Sequence, residues 1–393
     1  MTTRIVVLGA GYAGLPAARR LINRLGDAAD VTVVSASPSF VERPRLHQTA
    51  TGQRLRELPL AGLVGGPRGG SLIVGRIGDI DLAGRRVRVQ ARDGERTLGY
   101  DVLVYALGST VDVRAVPGVA AHAHTLSGAG SAERLSGALA TASPGSTVAV
   151  CGGGLCGIEM AAELAESRPD LRVLLASRTE PGAWQAPRAR RYLRRAFDRL
   201  GVEVLAGAEV REVAEDALVL AGDRRVPYDL CVWAGGFTVP SLARDAGLAV
   251  DDQGRIVVDE TLRSVSHPEV YAIGDAAAVP GPWGAALAYG CRTGSFTAPC
   301  AADAIADRLA GRTPRSFRFR YFHECVSLGR RDAFIQFLHA DQTPSRWVLT
   351  GRLAVWYKNI VLDSAKVVFR HPGPYTPRRR PAARPAEPAP LAS

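Results

Sequence analysis

Two glycine-rich turns, each set between a short apolar run and a helix-like one, restrict this chain more than any other feature. The first is Gly9-Ala10-Gly11-Tyr12-Ala13-Gly14, directly after Arg4-Ile5-Val6-Val7-Leu8. The second is Gly152-Gly153-Gly154-Leu155-Cys156-Gly157, between Thr147-Val148-Ala149-Val150-Cys151 and Ile158-Glu159-Met160-Ala161-Ala162-Glu163-Leu164. A strand that turns this tightly into a helix offers backbone N–H groups and the positive end of the helix dipole to a pyrophosphate. One such turn is a weak signal, but two in one chain predict two halves, each built to hold a dinucleotide.

The segments around the two turns repeat one another. Val31-Thr32-Val33-Val34 reads as the next parallel strand of the first half, and Leu171-Arg172-Val173-Leu174-Leu175 as that of the second. Tyr100-Asp101-Val102-Leu103-Val104-Tyr105-Ala106-Leu107-Gly108-Ser109 is a buried strand ending in small residues, and Tyr228-Asp229 through Gly236 has the same pattern. Strand, small-residue turn and helix alternate, which predicts parallel sheets with crossover helices. Residues 76–88 read as strand and turn, and Val270-Tyr271-Ala272-Ile273-Gly274-Asp275-Ala276 as a short strand ending in Gly-Asp. An alanine-rich helix is expected over about 298–310, and residues 317–337 alternate apolar and polar as strands do. The fold class expected is α/β, with two Rossmann-like dinucleotide-binding domains and a small β-rich C-terminal region. The first domain takes 1–115 and 241–315, the second 116–240, and the C-terminal region 316–375. Residues 376–393 are mostly Pro, Arg and Ala, with too little apolar surface to fold, and are expected to be disordered.

Composition removes several function classes. The 393 residues suffice for two or three cores. No apolar run is long enough to cross a membrane, and the first strand starts almost at Met1, leaving no room for a targeting segment. A cytoplasmic protein is expected. The net charge of +11 comes almost wholly from arginine, lysine occurring only at Lys358 and Lys366. The arginines are scattered, without the basic stripe and interleaved aromatics of a nucleic-acid binder, so no nucleic-acid partner is expected. The six cysteines are expected to be reduced. Cys151 and Cys156 have a redox-like spacing, but their place at a strand end and inside a phosphate turn reads better as packing. No cysteine or histidine set has zinc-ligand spacing, and no metal site is expected.

At these residues the chain resembles the two-dinucleotide flavoproteins of the pyridine nucleotide–disulfide oxidoreductase superfamily, and most of all their type II NADH dehydrogenase-like branch. The resemblance runs from Arg4 to about Arg370 and rests on the order of the motifs: turn, Tyr-Asp strand, turn, Tyr-Asp strand, Gly-Asp. It implies that Gly9, Gly11 and Gly14 cradle the FAD pyrophosphate, with Gly108 and Gly274 beside them. Asp275 would bind the ribityl chain of FAD, or cap a helix. Arg43 would approach the FAD phosphates, or be a loop charge. Gln48 and His47 would lie near the flavin ring, His47 as a proton donor or as a structural histidine. Gly152, Gly154, Gly157 and Gly235 would hold NAD(P)H. Glu159 would approach the nicotinamide carboxamide, or stabilise the helix start; Glu163, one turn on, reads as helix surface.

Departures from the family pattern matter as much. Ser35 stands where an acidic residue usually grips the FAD ribose, and its hydroxyl can still bond there. No cysteine occurs between Tyr12 and Gly75, so disulfide reduction is not expected; His267-Pro268-Glu269 reads as a loop. The segment Gly284-Ala285-Ala286-Leu287-Ala288-Tyr289-Gly290-Cys291 lacks the glutamine that quinone-reducing members carry. Ser177 and Arg178 end the strand after the second turn, where an NADH site usually has an acid. They suit the phosphate of NADPH, with NADH as the alternative. The expected activity is hydride transfer from NAD(P)H to FAD and then two electrons to a small-molecule acceptor, a quinone or similar conjugated compound. A flavoenzyme tailoring a biosynthetic intermediate and a non-catalytic nicotinamide-sensing module are the alternatives. Residues 352–370 read as a basic amphipathic helix, with Leu353, Trp356, Tyr357, Ile360, Val361, Val367 and Val368 near one face. That face either packs on the chain's own core or a second subunit, or rests on the inner face of a membrane.

Overall fold

The structure, a computed structural model, describes residues 2–65 and 69–371, except the side chain of Ala365. The expected tail lies outside the described residues. Each glycine turn joins a central parallel strand to a helix: Thr3–Leu8 to Gly14–Leu25, and Thr147–Cys151 to Leu155–Ser167. The first sheet has seven strands in the order Val270–Ala272, Val102–Tyr105, Thr3–Leu8, Ala29–Ser35, Ser71–Asp81, Arg86–Ala91, Gly94–Gly99. Its first five strands are parallel and the last two form an antiparallel extension. The second sheet is wholly parallel: Glu203–Ala206, Arg172–Ser177, Thr147–Cys151, Leu230–Trp233, Ala123–Thr125. The expected α/β class with two Rossmann-like halves is what the chain adopts.

The internal repeat extends to single hydrogen bonds. The amide of Gly9 donates to the Val34 carbonyl and that of Gly152 to the Ala176 carbonyl, both at 2.8 Å. The repeated Tyr-Asp pair also gains a reason. The Asp101 carboxylate accepts from the Arg4 backbone N–H at 2.8 Å, and that of Asp229 from the Thr147 N–H at 2.6 Å. Each aspartate thus clamps the start of the strand that carries the turn. Between the halves, Thr110–Val111 pairs antiparallel with Phe237–Thr238, so the two chain crossings form one short ribbon.

The helix expected from about 298 begins earlier, at Cys291, and runs to Leu309 with Pro299 inside it. It packs on Gly14–Leu25, where Arg20 and Arg24 pair with Asp303 and Asp307. Residues 323–350 form the antiparallel sheet His323–Ser327, Ala333–Leu338, Pro344–Thr350, and then the C-terminal helix Arg352–Arg370. That helix packs on the chain itself, but not by the expected stripe. Ala354, Lys358, Leu362 and Phe369 are its buried positions, whereas Leu353, Trp356, Ile360 and Val367 are exposed, Trp356 at 64%. Phe369 closes an aromatic cluster with Phe40 and Tyr12, ring centres 4.6 and 6.2 Å away. Among the described residues no helix is long and apolar enough to cross a membrane.

The third glycine of each turn sets the packing distance. A Cβ on Gly14 would lie 1.8 Å from the Gly9 carbonyl oxygen, and one on Gly157 1.7 Å from that of Gly152. At Gly11 a Cβ would meet nothing within 4 Å. Gly14→Ala is therefore expected to lose about 3 kcal/mol or more of stability, and Gly11→Ala to stay within about 1 kcal/mol of the parent. Denaturant unfolding of the two variants checks the contrast.

Candidate active site

The two turns form matching cradles at the C-terminal edges of their sheets, the usual place for a ligand in such folds. In each, the first and third glycines are blocked by backbone: Gly9 by the Ala106 carbonyl at 2.4 Å, Gly152 by Ala234 and Gly235 at 2.9 Å, and Gly14 and Gly157 as above. In each, the middle glycine, Gly11 or Gly154, borders open space at the helix start. A side chain there would fill the place of a pyrophosphate. Both cradles therefore fit a dinucleotide.

Around the first cradle the structure links most of the expected residues. Arg43 donates to the Ser109 carbonyl at 2.7 Å and lies 3.7 Å from where a Cβ of Gly108 would be. The Ser109 hydroxyl donates to Asp275 at 2.6 Å, and Asp275 also accepts the Gly290 N–H at 2.7 Å. Gly290 precedes the helix Cys291–Leu309, so Asp275 holds that helix start while facing the cradle's hydrogen-bond chain. Gly274, at φ +66°, brings this segment against Ala13. Ser35 is turned inward: its hydroxyl donates to the Ser37 carbonyl at 2.8 Å and closes its own loop. In the second cradle Ser177 stands against Gly153, with its Oγ 2.0 Å from the site of a Cβ, and Gly235 flanks the turn. Arg178 is exposed and has no ion-pair partner among the described residues.

Between the cradles lies a buried ionic cluster. The short helix Leu46–Ala50 belongs to the first half in sequence but sets Leu46 and Ala50 into the core of the second. It brings His47 to 4.0 Å from Glu159, which sits on the first turns of the second cradle's helix. Glu159 accepts the Ser327 backbone N–H at 3.0 Å and pairs with Lys358, whose Nζ also donates to the Ser327 hydroxyl at 2.7 Å. Burial opposes ionisation of Glu159, but the charge and hydrogen bond of Lys358 outweigh it and hold the carboxyl below its usual value. Burial pushes the His47 imidazolium down to about 4 against the pull of Glu159, so the ring is neutral at pH 7. Its Nε2 is buried without a hydrogen-bond partner among the described residues.

Three thiols border this cluster, and burial raises them all: Cys156 to about 11, Cys325 to about 12, and Cys291 above its usual value. They stay protonated and are poor nucleophiles. Cys151 does not approach Cys156; its neighbour is Cys231, 3.9 Å away sulfur to sulfur. His267 and Glu269 lie in the turn before the Gly-Asp strand. Among the described residues no group of acids, histidines or cysteines could hold a metal.

One reading is corrected. Glu163 is not helix surface but fully buried, its Oε1 accepting from Thr51, Gln53 and Arg330 at 3.1, 3.0 and 2.8 Å. Lys358 and Ser327 belong to the site yet were not among the residues its motifs marked. Composition held the clue for Lys358: of 49 basic residues only two are lysines, and both reach buried carboxylates, Lys358 at Glu159 and Lys366 at Glu42, the latter pair at 2.9 Å.

Three comparisons bear on this arrangement. The model of a family described as "Pyridine nucleotide-disulphide oxidoreductase" matches residues 3–290. An "NADH dehydrogenase-like protein" of Mycobacterium tuberculosis is 33% identical over 300 residues, covering 70% of this chain and 73% of the relative. Among solved structures, a sulfide:quinone oxidoreductase of Aquifex aeolicus superposes with a TM-score of 0.78 at 20% identity, over 94% of this chain and 92% of that one. The NDH2 of Plasmodium falciparum in complex with NADH gives 0.78 at 15% identity, over 94% and 97%. At such identities the structural likeness is one of fold.

The His47 environment has a measurable consequence. Below about pH 6.5 the unfolded chain takes up a proton that the folded chain refuses until about pH 4. Stability is therefore expected to fall as pH drops through that window, by about 2 kcal/mol between pH 7 and pH 5 from this group. Denaturant unfolding of the parent and of His47→Leu at the two pH values should show the slope reduced by that amount in the variant.

Proposed function

The chain belongs to the pyridine nucleotide-disulphide oxidoreductase family, and on that premise we propose that it is an FAD-dependent NAD(P)H oxidoreductase that reduces a quinone-like small molecule. The observation that carries this reading is the pair of equivalent cradles, each with an open middle glycine, facing one buried ionic cluster. Bound FAD supplies a ring that accepts a hydride from the nicotinamide and returns two electrons to an acceptor. The chain's own residues bind, orient and carry protons around it.

Gly9, Gly11 and Gly14 hold the FAD pyrophosphate at the N-terminus of their helix, with Arg43 adding positive charge. Asp275, fixed by Ser109 and Gly290, offers its carboxylate to the ribityl hydroxyls. Gln48 and the unpartnered Nε2 of His47 supply hydrogen-bonding atoms close to the ring. Gly152, Gly154 and Gly157 hold the NAD(P)H pyrophosphate. Glu159 pairs with Lys358, whose Nζ offers its N–H donors to the acceptor's developing oxygen anion. Residues Ser327 and Glu159 together fix that nitrogen.

The test is direct. The purified full chain should be yellow and release FAD on denaturation, and NADPH added without oxygen should bleach it. A quinone should restore the colour. A colourless protein, or a flavin that neither nucleotide reduces, would overturn the reading.

For nucleotide choice, the exposed Arg178 and the adjacent Ser177 favour the phosphate of NADPH. A charge-assisted hydrogen bond is worth about 1.5–3 kcal/mol, so Arg178→Ala should lower kcat/KM for NADPH by about 10- to 150-fold. The value for NADH should hardly change, and added salt should shrink the difference. An equal loss for both nucleotides would mean that Arg178 only supports its loop.

A further inference from the structure

A cavity of 240 Å³ lies between the segment Pro44–Gln53, which contains the helix Leu46–Ala50, the turn 327–330 and the C-terminal helix. Among the described residues every charged side chain lining it is a cation: Arg45, Arg330 and Lys358. The amides of Gln48, Gln53 and Asn359 make up most of the remaining polar wall. Glu159 and Glu163 do not line it; each stands against one of the cations, Lys358 or Arg330.

The cations retain unused donors. Arg330 spends its Nε on Glu163 at 2.8 Å, is 45% exposed, and has no partner for its terminal nitrogens among the described residues. Arg45 gives one nitrogen to Asn359 at 3.1 Å, while its Nε is sheltered from water without a hydrogen bond among the described residues. Its nearest carboxylates, Glu42 and Asp363, stand off at 3.7 and 3.8 Å. An arginine sheltered in this way gains most from an anion that accepts its free N–H groups. The size of the cavity adds a limit. It falls below the roughly 300–1,000 Å³ of sites that take drug-sized ligands, so it holds about one compact ring system.

We infer that this cavity is the acceptor subsite and that it selects compact conjugated carbonyl compounds bearing an anionic group. The inference rests on the proposed oxidoreductase reading and deepens it. The exchange balances as NADPH + H⁺ + quinone → NADP⁺ + quinol; the anionic group takes no part in it. Arg45 and Arg330 hold the anion, which leaves the carbonyl oxygen to Lys358 Nζ. A neutral quinone gains nothing from the two guanidinium groups.

The experiment compares naphthoquinone with naphthoquinone sulfonate, whose charge is fixed, as ligands of the oxidised yellow holoenzyme by equilibrium dialysis. The sulfonate should bind about tenfold or more tightly than the neutral compound, and salt should weaken it alone. Asn359→Asp keeps the oxygen that Arg45 bonds and adds a negative charge to the wall. It should weaken the sulfonate about tenfold and leave the neutral quinone within about twofold. Arg330→Gln should do the same, with its thermal midpoint measured as a check on folding. Equal dissociation constants for the two compounds, or an Asn359→Asp variant that binds the sulfonate like the parent, would overturn the inference. Binding is read without turnover. A flavin that NADPH cannot reduce would therefore fail the reading of the preceding section, and the dissociation constants would still decide this one.

Discussion

The approach of each helix to its own turn is closer than any side chain allows, and the rest of the molecule is arranged around it. With glycine at 14 and 157 the helix N-termini press on the carbonyls of Gly9 and Gly152. That contact aims free N–H groups and the helix dipole at the open space beside Gly11 and Gly154. The clamps at Asp101 and Asp229 fix the other end of the same strands. Between strand clamp and helix contact there is little freedom left in where a dinucleotide can lie. The Arg43–Ser109–Asp275 chain and the ionic cluster at Glu159 are then placed relative to two fixed points.

What could be read from the sequence was local. The glycine turns, the Tyr-Asp strands and the Gly-Asp segment each declare themselves within about ten residues, because strand, turn and helix start are contiguous. The burial of Glu163 was not legible, since its partners Thr51, Gln53 and Arg330 lie 110 to 167 residues away. A glutamate on an amphipathic helix is ordinarily solvated, and nothing in its neighbours says otherwise. The C-terminal helix shows a second limit. Its period is legible, but which stripe faces inward was decided by polar ties together with a few apolar contacts, and not by hydrophobicity alone. Lys358 and Ala354 are buried while Trp356 and Leu353 remain in water.

Those polar ties run in register along the helix. Lys358 reaches Glu159, Asn359 takes Arg45, and Lys366 reaches Glu42. Buried ion pairs contribute little net stability but penalise every arrangement that leaves one charge alone. A helix held this way has one acceptable rotation about its axis. In a chain that otherwise uses arginine almost exclusively, lysine at these two points supplies a compact charge on a thin stem where a planar guanidinium would need more room.

The strand order of the first sheet also governs how the molecule is made. Its edge strand Val270–Ala272 comes from beyond the whole of the second half, and pairs with Val102–Tyr105. A ribosome adding about 5–20 residues per second therefore finishes the second sheet while the first sheet still lacks a strand and its covering helix Cys291–Leu309. The nascent first half must wait for that return, with the apolar face that will receive the helix uncovered. The order of completion is thus second sheet, first sheet, C-terminal latch. The hydrogen-bond chain from Arg43 through Ser109 closes late in the birth of the chain, because Asp275 and Gly290 arrive only with the returning segment.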